Sequence, residues 1–362
     1  VADLKDGFSL EFIENFGKKV HGVYPVFETG RFVEDVTGNG WEDLAFKNRI
    51  RRISTVLGKY LPSDFKEALN VLYLIDEKCT GLRYLFFPDF VEVYGLAEEN
   101  WRESMTALER FTKRSSAEFA VRAFILKDPE RMMKQMKTWA GDPDEHVRRL
   151  ASEGCRPRLP WGQALPMFKR NPEPVLPILE NLLDDSSSYV KKSVANNFND
   201  IAKDNPDVVV EMVRKWKHTS IGTDWILRHG SRTLIRQANP AIMELFGYPA
   251  VETEDAAITM TPDELSIGED STLHYKIKIP NGRPVKVRIE YGIYFVKSRG
   301  NTSRKLFLLT DKEVQGGAVI KGKRTHHWAD LSTRKHYPGI HRIALFVNGV
   351  EAALTEIDLK EA

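Results

Sequence analysis

Acidic side chains set among basic ones are the chemistry-bearing feature of this sequence. Glu153 lies in the run Val147-Arg148-Arg149-Leu150-Ala151-Ser152-Glu153-Gly154, with Arg156 and Arg158 just beyond it. Asp200 closes a stretch carrying Lys191, Lys192 and Asn196, and Lys203 follows. Glu118 comes after Ser115-Ser116-Ala117, and Trp161 after Leu159-Pro160. Carboxylates facing one point could stabilise a developing cation and take a proton from water. One carboxylate about 4 Å from a full positive charge, at an effective dielectric near 20, contributes roughly 4 kcal/mol, or about a thousandfold in rate. An indole face against a cation adds roughly 0.5–2 kcal/mol. The bases, with Arg228 and Arg232 further on, suit phosphate oxygens, which they bind without sequence preference and with strong salt dependence. Each acid also has a local explanation. Glu118 could cap its helix or pair with Arg122, Glu153 could pair with Arg149 or Arg156, and Asp200 with Lys203, while Trp161 could be a core residue. Their convergence on one surface is what favours function.

The charge is segregated. Of a net +2, residues 1–110 carry −5, 111–238 carry +6, 239–270 carry −8 and 271–362 carry +9. Two basic blocks flanking an acidic connector suggest a polyanion gripped by both. With 42% hydrophobic and 29% charged residues, the composition is that of a soluble globular chain, and no apolar run reaches the roughly 18 residues of a membrane span. Lys5 and Asp6 near the start do not read as a signal peptide. Two distant cysteines, Cys79 and Cys155, imply no disulfide framework and point to the reducing cytoplasm. His326-His327 read as exposed loop histidines rather than metal ligands.

The elements that must position these residues are helical first. Asp128-Pro129, Asn171-Pro172, Asn205-Pro206 and Asn239-Pro240 recur at spacings of 43, 34 and 34. Each ends one helix and opens another, because proline disfavours helix in the residue before it and suits the first turn. Two helices per unit at this period indicate an α-solenoid of HEAT-like repeats, with an insertion between Gly154 and Arg170. In the second helices, Val190, Val194, Phe198 and Ile201 form an apolar stripe, as do Val147, Leu150, Ala151 and Gly154. The opposite faces, with Ser152, Glu153, Asn199 and Asp200, are expected to look outward into a cradle. Near Tyr248 the period changes to two. Alternation at 273–279 and 285–291, further strands at 293–297, 305–309, 318–320, 341–347 and 352–357, and hairpin turns at Asn281-Gly282 and Asn348-Gly349 describe about seven short strands. The fold expected is mostly α: a HEAT-like solenoid over 1–250, an acidic linker over 251–270, and an all-β immunoglobulin-like sandwich over 271–362. In the sandwich, Lys321, Lys323, Arg324, His326 and His327, after the flexible Gly316-Gly317, are expected to clamp a phosphate backbone.

These motifs carry a resemblance. The run 147–154, Leu159-Pro160-Trp161-Gly162, Tyr189-Val190-Lys191-Lys192-Ser193-Val194-Ala195-Asn196-Asn197 and Trp225-Ile226-Leu227-Arg228-His229-Gly230-Ser231-Arg232 resemble the HEAT-like alkylpurine DNA glycosylases. The insertion and the sandwich are similar to the AlkC branch of that superfamily rather than the compact AlkD branch. The resemblance implies excision of cationic adducts such as 3-methyladenine, and also 3-methylcytosine, from double-stranded DNA, with no metal or organic cofactor. It also implies that the damaged base is not drawn into a deep pocket, unlike most base chemistry on duplexes. An N3-alkylated purine already carries positive charge and leaves readily, so the protein has mainly to stabilise the oxocarbenium sugar and present a water. Closed solenoid ends and a fused sandwich suit a monomer. The competing reading is a non-catalytic helical scaffold that holds a protein partner or DNA on its concave face.

Overall fold

The computed structural model describes residues 4–331 and 334–361. Its contacts divide the chain into two compact units: Val1–Val209 with Trp216–Gly230, and Val210–Lys215 with Ser231–Ala362.

The first unit is built from paired helices. Its repeats open where the Asx-Pro signals sit. The Asp128 carboxylate accepts the Arg131 N–H at the start of helix Pro129–Trp139, and Asp144 and Ser187 cap helices Glu145–Gly154 and Ser188–Ile201 in the same way, contributing about 1 kcal/mol apiece. Asn171 instead makes a turn, and its helix waits until Leu176–Asn181. The second helices stack side by side, 188–201 lying between 145–154 and Ile221–Gly230. Val190, Val194, Phe198 and Ile201 are all fully buried, each stabilising by roughly 1.5–3 kcal/mol. At Gly154 an added Cβ would lie 2.6 Å from a Val121 methyl, so glycine is what lets helix 145–154 end against helix Val121–Lys127.

The second unit contains a sandwich of two sheets. One, in the order β1-β3-β6, comprises β1 Asp255–Thr261, β3 Asp270–Lys278 and β6 Val319–His327. The other, in the order β2-β8-β7-β4-β5, comprises β2 Glu264–Ser266, β8 Val350–Lys360, β7 Gly339–Val347, β4 Val285–Val296 and β5 Thr302–Val314. Leu273, Ile277, Ile289, Ile293, Trp328, Ile343 and Leu345 form its core.

Three expectations change here. Residues 251–270 are not a bare acidic connector: they carry β1 and β2, and Ile258, Met260 and Leu265 are buried because apolar residues alternate with the acids. The stretches 285–291 and 293–297 belong to one strand, β4, with a register shift at Ile289/Glu290. Asn281-Gly282 closes no hairpin, since β3 pairs with β1 and β6 while β4 pairs with β5 and β7. Asn348-Gly349 does close one, with Val347 opposite Val350 and positive φ at both turn residues, the geometry of a tight hairpin turn.

Candidate active site

The polar positions of the two stacked second helices meet in one buried network. Glu153 is only 5% exposed. Its Oε1 pairs with Arg156 Nη1 at 2.5 Å and lies 3.7 Å from Arg149 Nη2. Its Oε2 accepts the Ser193 hydroxyl of the neighbouring helix at 2.6 Å. Asp200, 2% exposed, accepts Arg156 Nε on Oδ2 at 2.9 Å and Lys203 Nζ on Oδ1 at 3.0 Å. A spacing of four residues brings Arg149 and Glu153 onto one face of helix 145–154, and Arg156 folds back onto Glu153 from just past the helix end. Burial alone would lower the Arg156 pKa, but Glu153 and Asp200 hold it above the ordinary value.

Glu118 joins from the repeat before. It lies in the turn ahead of helix 121–127 rather than within a helix. Its Oε2 pairs with Arg149 Nη1 at 2.5 Å and accepts the Ser116 hydroxyl at 3.0 Å. Arg149 therefore bridges Glu118 and Glu153, and its guanidinium rests on the Tyr189 ring, 4.8 Å from the centroid. Three acids (Glu118, Glu153, Asp200) face three bases (Arg149, Arg156, Lys203) in balanced charge, so the expected outward polar face is largely an interior one.

Trp161 is presented by the insertion. Beneath the loop, the fully buried Arg122 donates Nη1 to Gly154 O and Nη2 to Arg156 O, both at 2.9 Å, and Nε to Gln163 O. Burial lowers its pKa to about 10, still cationic at neutral pH. Trp161 itself has φ +61° and is 66% exposed. A left-handed backbone at a bulky residue costs about 1–3 kcal/mol and persists only where the surroundings enforce it. Such strain, with an indole left in solvent, argues against a core role.

Glu118, Arg149, Glu153, Arg156 and Trp161 line one cavity of about 320 Å³, walled by Phe46, Leu82, Leu85, Phe119, Leu159 and Tyr189. Asp200 does not line it and reaches it only through Arg156. Of the remaining sites, Arg148 is taken up by Asp185, at 2.6 and 3.0 Å, and by the carbonyls of Asp142 and Pro143, which fixes the two capping turns and uses four of its five N–H groups. Arg156 is likewise enclosed, so its charge serves the acids. Arg158 pairs with Asp204. Lys192 and Lys203 are exposed and Lys191, Asn196, Arg228 and Arg232 half-buried.

The basic segment of the sandwich is strand β6, not a flexible loop. Lys321, Lys323, Arg324 and His327 are exposed, and His327 meets Asp270 at 2.6 Å. Strand alternation turns His326 inward, with Nδ1 3.2 Å from the Tyr291 hydroxyl, which removes it from any backbone clamp. Tyr189, Ser193 and Arg122 were not singled out as site residues. The signal was present: Tyr189, Ser193, Asn197 and Asp200 follow the helical repeat along one line. Among the described residues no group of three or more His, Cys, Asp or Glu is placed to hold a metal, and no helix is long and apolar enough to cross a membrane.

Residues 100–234 match the DNA alkylation repair enzyme family, and residues 254–361 the C-terminal Ig-like domain of the uncharacterised protein YhaZ. The uncharacterized protein YhaZ of Bacillus subtilis (strain 168) is 43% identical over 352 residues, 96% of this chain and 97% of that one. A solved structure, Pseudomonas fluorescens alkylpurine DNA glycosylase AlkC bound to DNA containing an abasic site analog, is 37% identical and matches with a TM-score of 0.93 over 99% of this chain and 100% of that one. With a helical repeat that brings acids from successive units to one aromatic-walled cavity, followed by an immunoglobulin-like domain, this chain belongs to the AlkC-type family of alkylpurine DNA glycosylases.

Proposed function

We propose that this protein binds double-stranded DNA and hydrolyses the N-glycosidic bond of cationic N-alkylated bases, 3-methyladenine and 3-methylcytosine among them. The observation that carries this reading is the meeting of Glu118 and Glu153, from successive repeats, in one cavity beneath the exposed Trp161. Heterolysis sends the bonding pair to the base, which leaves neutral, and the positive charge moves to the deoxyribose C1′ and its ring oxygen. Glu153 and Glu118 stabilise that cation, and one of them takes the proton of the water whose oxygen bonds to C1′. Trp161 lays its indole against the cationic nucleoside. Asp200 is a positioning residue that, with Glu153, fixes Arg156. Because the leaving group is activated before it meets the protein, no deep base pocket is needed and the base stays outside one.

Lys191, Lys192, Lys203, Arg228 and Arg232 in the helical repeats, with Lys321, Lys323 and Arg324 on β6, supply the phosphate contacts, which give affinity without sequence preference. The test is release of free 3-methyladenine from methylated duplex DNA. Release by the wild type, abolished in a folded Glu118→Gln, Glu153→Gln double variant that still binds DNA, is the expected result. DNA binding with no release from any methylated substrate would make the chain a scaffold.

A further inference from the structure

We propose that Lys47 is a positioning residue for excision, holding Trp161 over the cavity. The inference rests on the glycosylase reading of the site and extends it to the N-terminal helix Phe46–Tyr60. Trp161 stands on strained backbone at the outer edge of the insertion. Arg122 holds the inner side of this loop through the carbonyls of residues 154, 156 and 163, but not that of residue 161. The Trp161 carbonyl is held from the opposite side of the cavity, by Lys47 Nζ at 2.9 Å. The same ammonium lies over the Phe119 ring, 4.7 Å from its centroid, next in sequence to Glu118. Phe46, the neighbour of Lys47, meets the indole at a ring separation of 6.3 Å. One exposed lysine therefore joins helix 46–60, the turn carrying Glu118 and the loop carrying Trp161, a link of 114 residues in sequence.

The geometry divides the work between two cations. Arg122 sets the course of the loop and is part of the core. Lys47, at the surface, fixes the peptide that decides where the indole points. A positively charged residue at a cavity mouth could instead touch a DNA phosphate directly, and that alternative has a different signature. Losing a phosphate ligand lowers the slope of log affinity against log salt by about 0.9, whereas losing a positioning contact leaves it unchanged.

The experiment uses the full chain labelled with 5-fluorotryptophan, the signal of residue 161 being assigned by its loss in Trp161→Phe. Lys47→Met should shift and broaden that signal. It should also slow single-turnover release of 3-methyladenine from methylated duplex by about 3- to 30-fold, no more than Trp161→Ala does. Affinity for undamaged duplex and its salt slope should hold, and Lys47→Arg, which can still donate to the carbonyl, should restore both signal and rate. The double variant Lys47→Met, Trp161→Ala should be no slower than Trp161→Ala alone. An unmoved fluorine signal, multiplied losses in the double variant, or a reduced salt slope would overturn the proposal. Absence of release by the wild type would instead overturn the function proposed for the site, with the fluorine signal of Lys47→Met still deciding whether the clamp exists.

Discussion

Glu153→Gln separates the electrostatic role of the network from its structural one. The amide matches the carboxylate in shape, and its oxygen can still accept an Arg156 N–H while its NH2 donates to the Ser193 hydroxyl oxygen, but it removes one negative charge from a site where three acids balance three bases. A lone carboxylate about 4 Å from the sugar cation is worth roughly 4 kcal/mol at a dielectric near 20. Here Arg156 sits behind it, and a guanidinium about 7 Å from the same cation opposes by roughly 2.4 kcal/mol. Arg156 remains in the variant, so its opposition is common to both proteins, and Glu153→Gln removes the carboxylate's whole contribution of roughly 4 kcal/mol, about a thousandfold in the chemical step. The assay is single-turnover release of 3-methyladenine under excess protein, with thermal unfolding to show that the fold survives. Asp200 still pairs with Arg156, so the stability cost should stay below the roughly 3–5 kcal/mol of a fully orphaned buried charge. A folded variant that excises within about threefold of wild type would refute the electrostatic reasoning.

Three further predictions follow from the same geometry. Trp161→Gly relieves the left-handed strain at an exposed residue, so the melting midpoint should rise by about 2 °C while excision falls; a lower midpoint would mean that the indole supports the fold. Arg148→Ala should cost about 3 kcal/mol in denaturant unfolding by orphaning Asp185, yet leave DNA affinity and its salt slope in place; a reduced slope would return Arg148 to the phosphate ligands. In the sandwich, burial, and then the charge of Arg334, push the His326 pKa from 6.5 down to about 4. The unfolded chain therefore takes up this proton first as pH falls, and the stability is complete above about pH 6.5 and lost towards pH 4. About 2 kcal/mol should go between pH 7.5 and 5, more with His336 and His341, which burial also lowers. Unfolding curves of wild type and His326→Phe across that range check it, and the dependence should flatten in the variant.

The two-part architecture was legible because it rests on periods: Asx-Pro signals near every 34 residues and alternation after residue 270 both report backbone geometry directly. The acids at 118, 153 and 200 were legible as a set, but their surroundings were not. A helical wheel separates apolar from polar faces, and it made Ser152, Glu153, Asn199 and Asp200 look solvated. It cannot show that a parallel helix brings an equally polar face against them, which buries all four. The strands within 251–270 were hidden by their eight acids shared with the preceding helix end, although Ile258 and Met260 alternate as a strand requires. His326 was misplaced for a related reason: a run of basic residues reads as one exposed segment, whereas a strand sends every second side chain inward. Lys47 had no signal at all, since its partner is a carbonyl 114 residues away.

The central claim is that carboxylates of successive repeats act on a single nucleotide. A crystal structure of this protein on duplex DNA with an abasic-site analogue measures that directly. The account predicts the analogue's ring in the cavity, with Glu118 and Glu153 both within about 4 Å of the C1′ position or of a water beside it. A sugar lying elsewhere, with both acids still closed on Arg149 and Arg156, would contradict it.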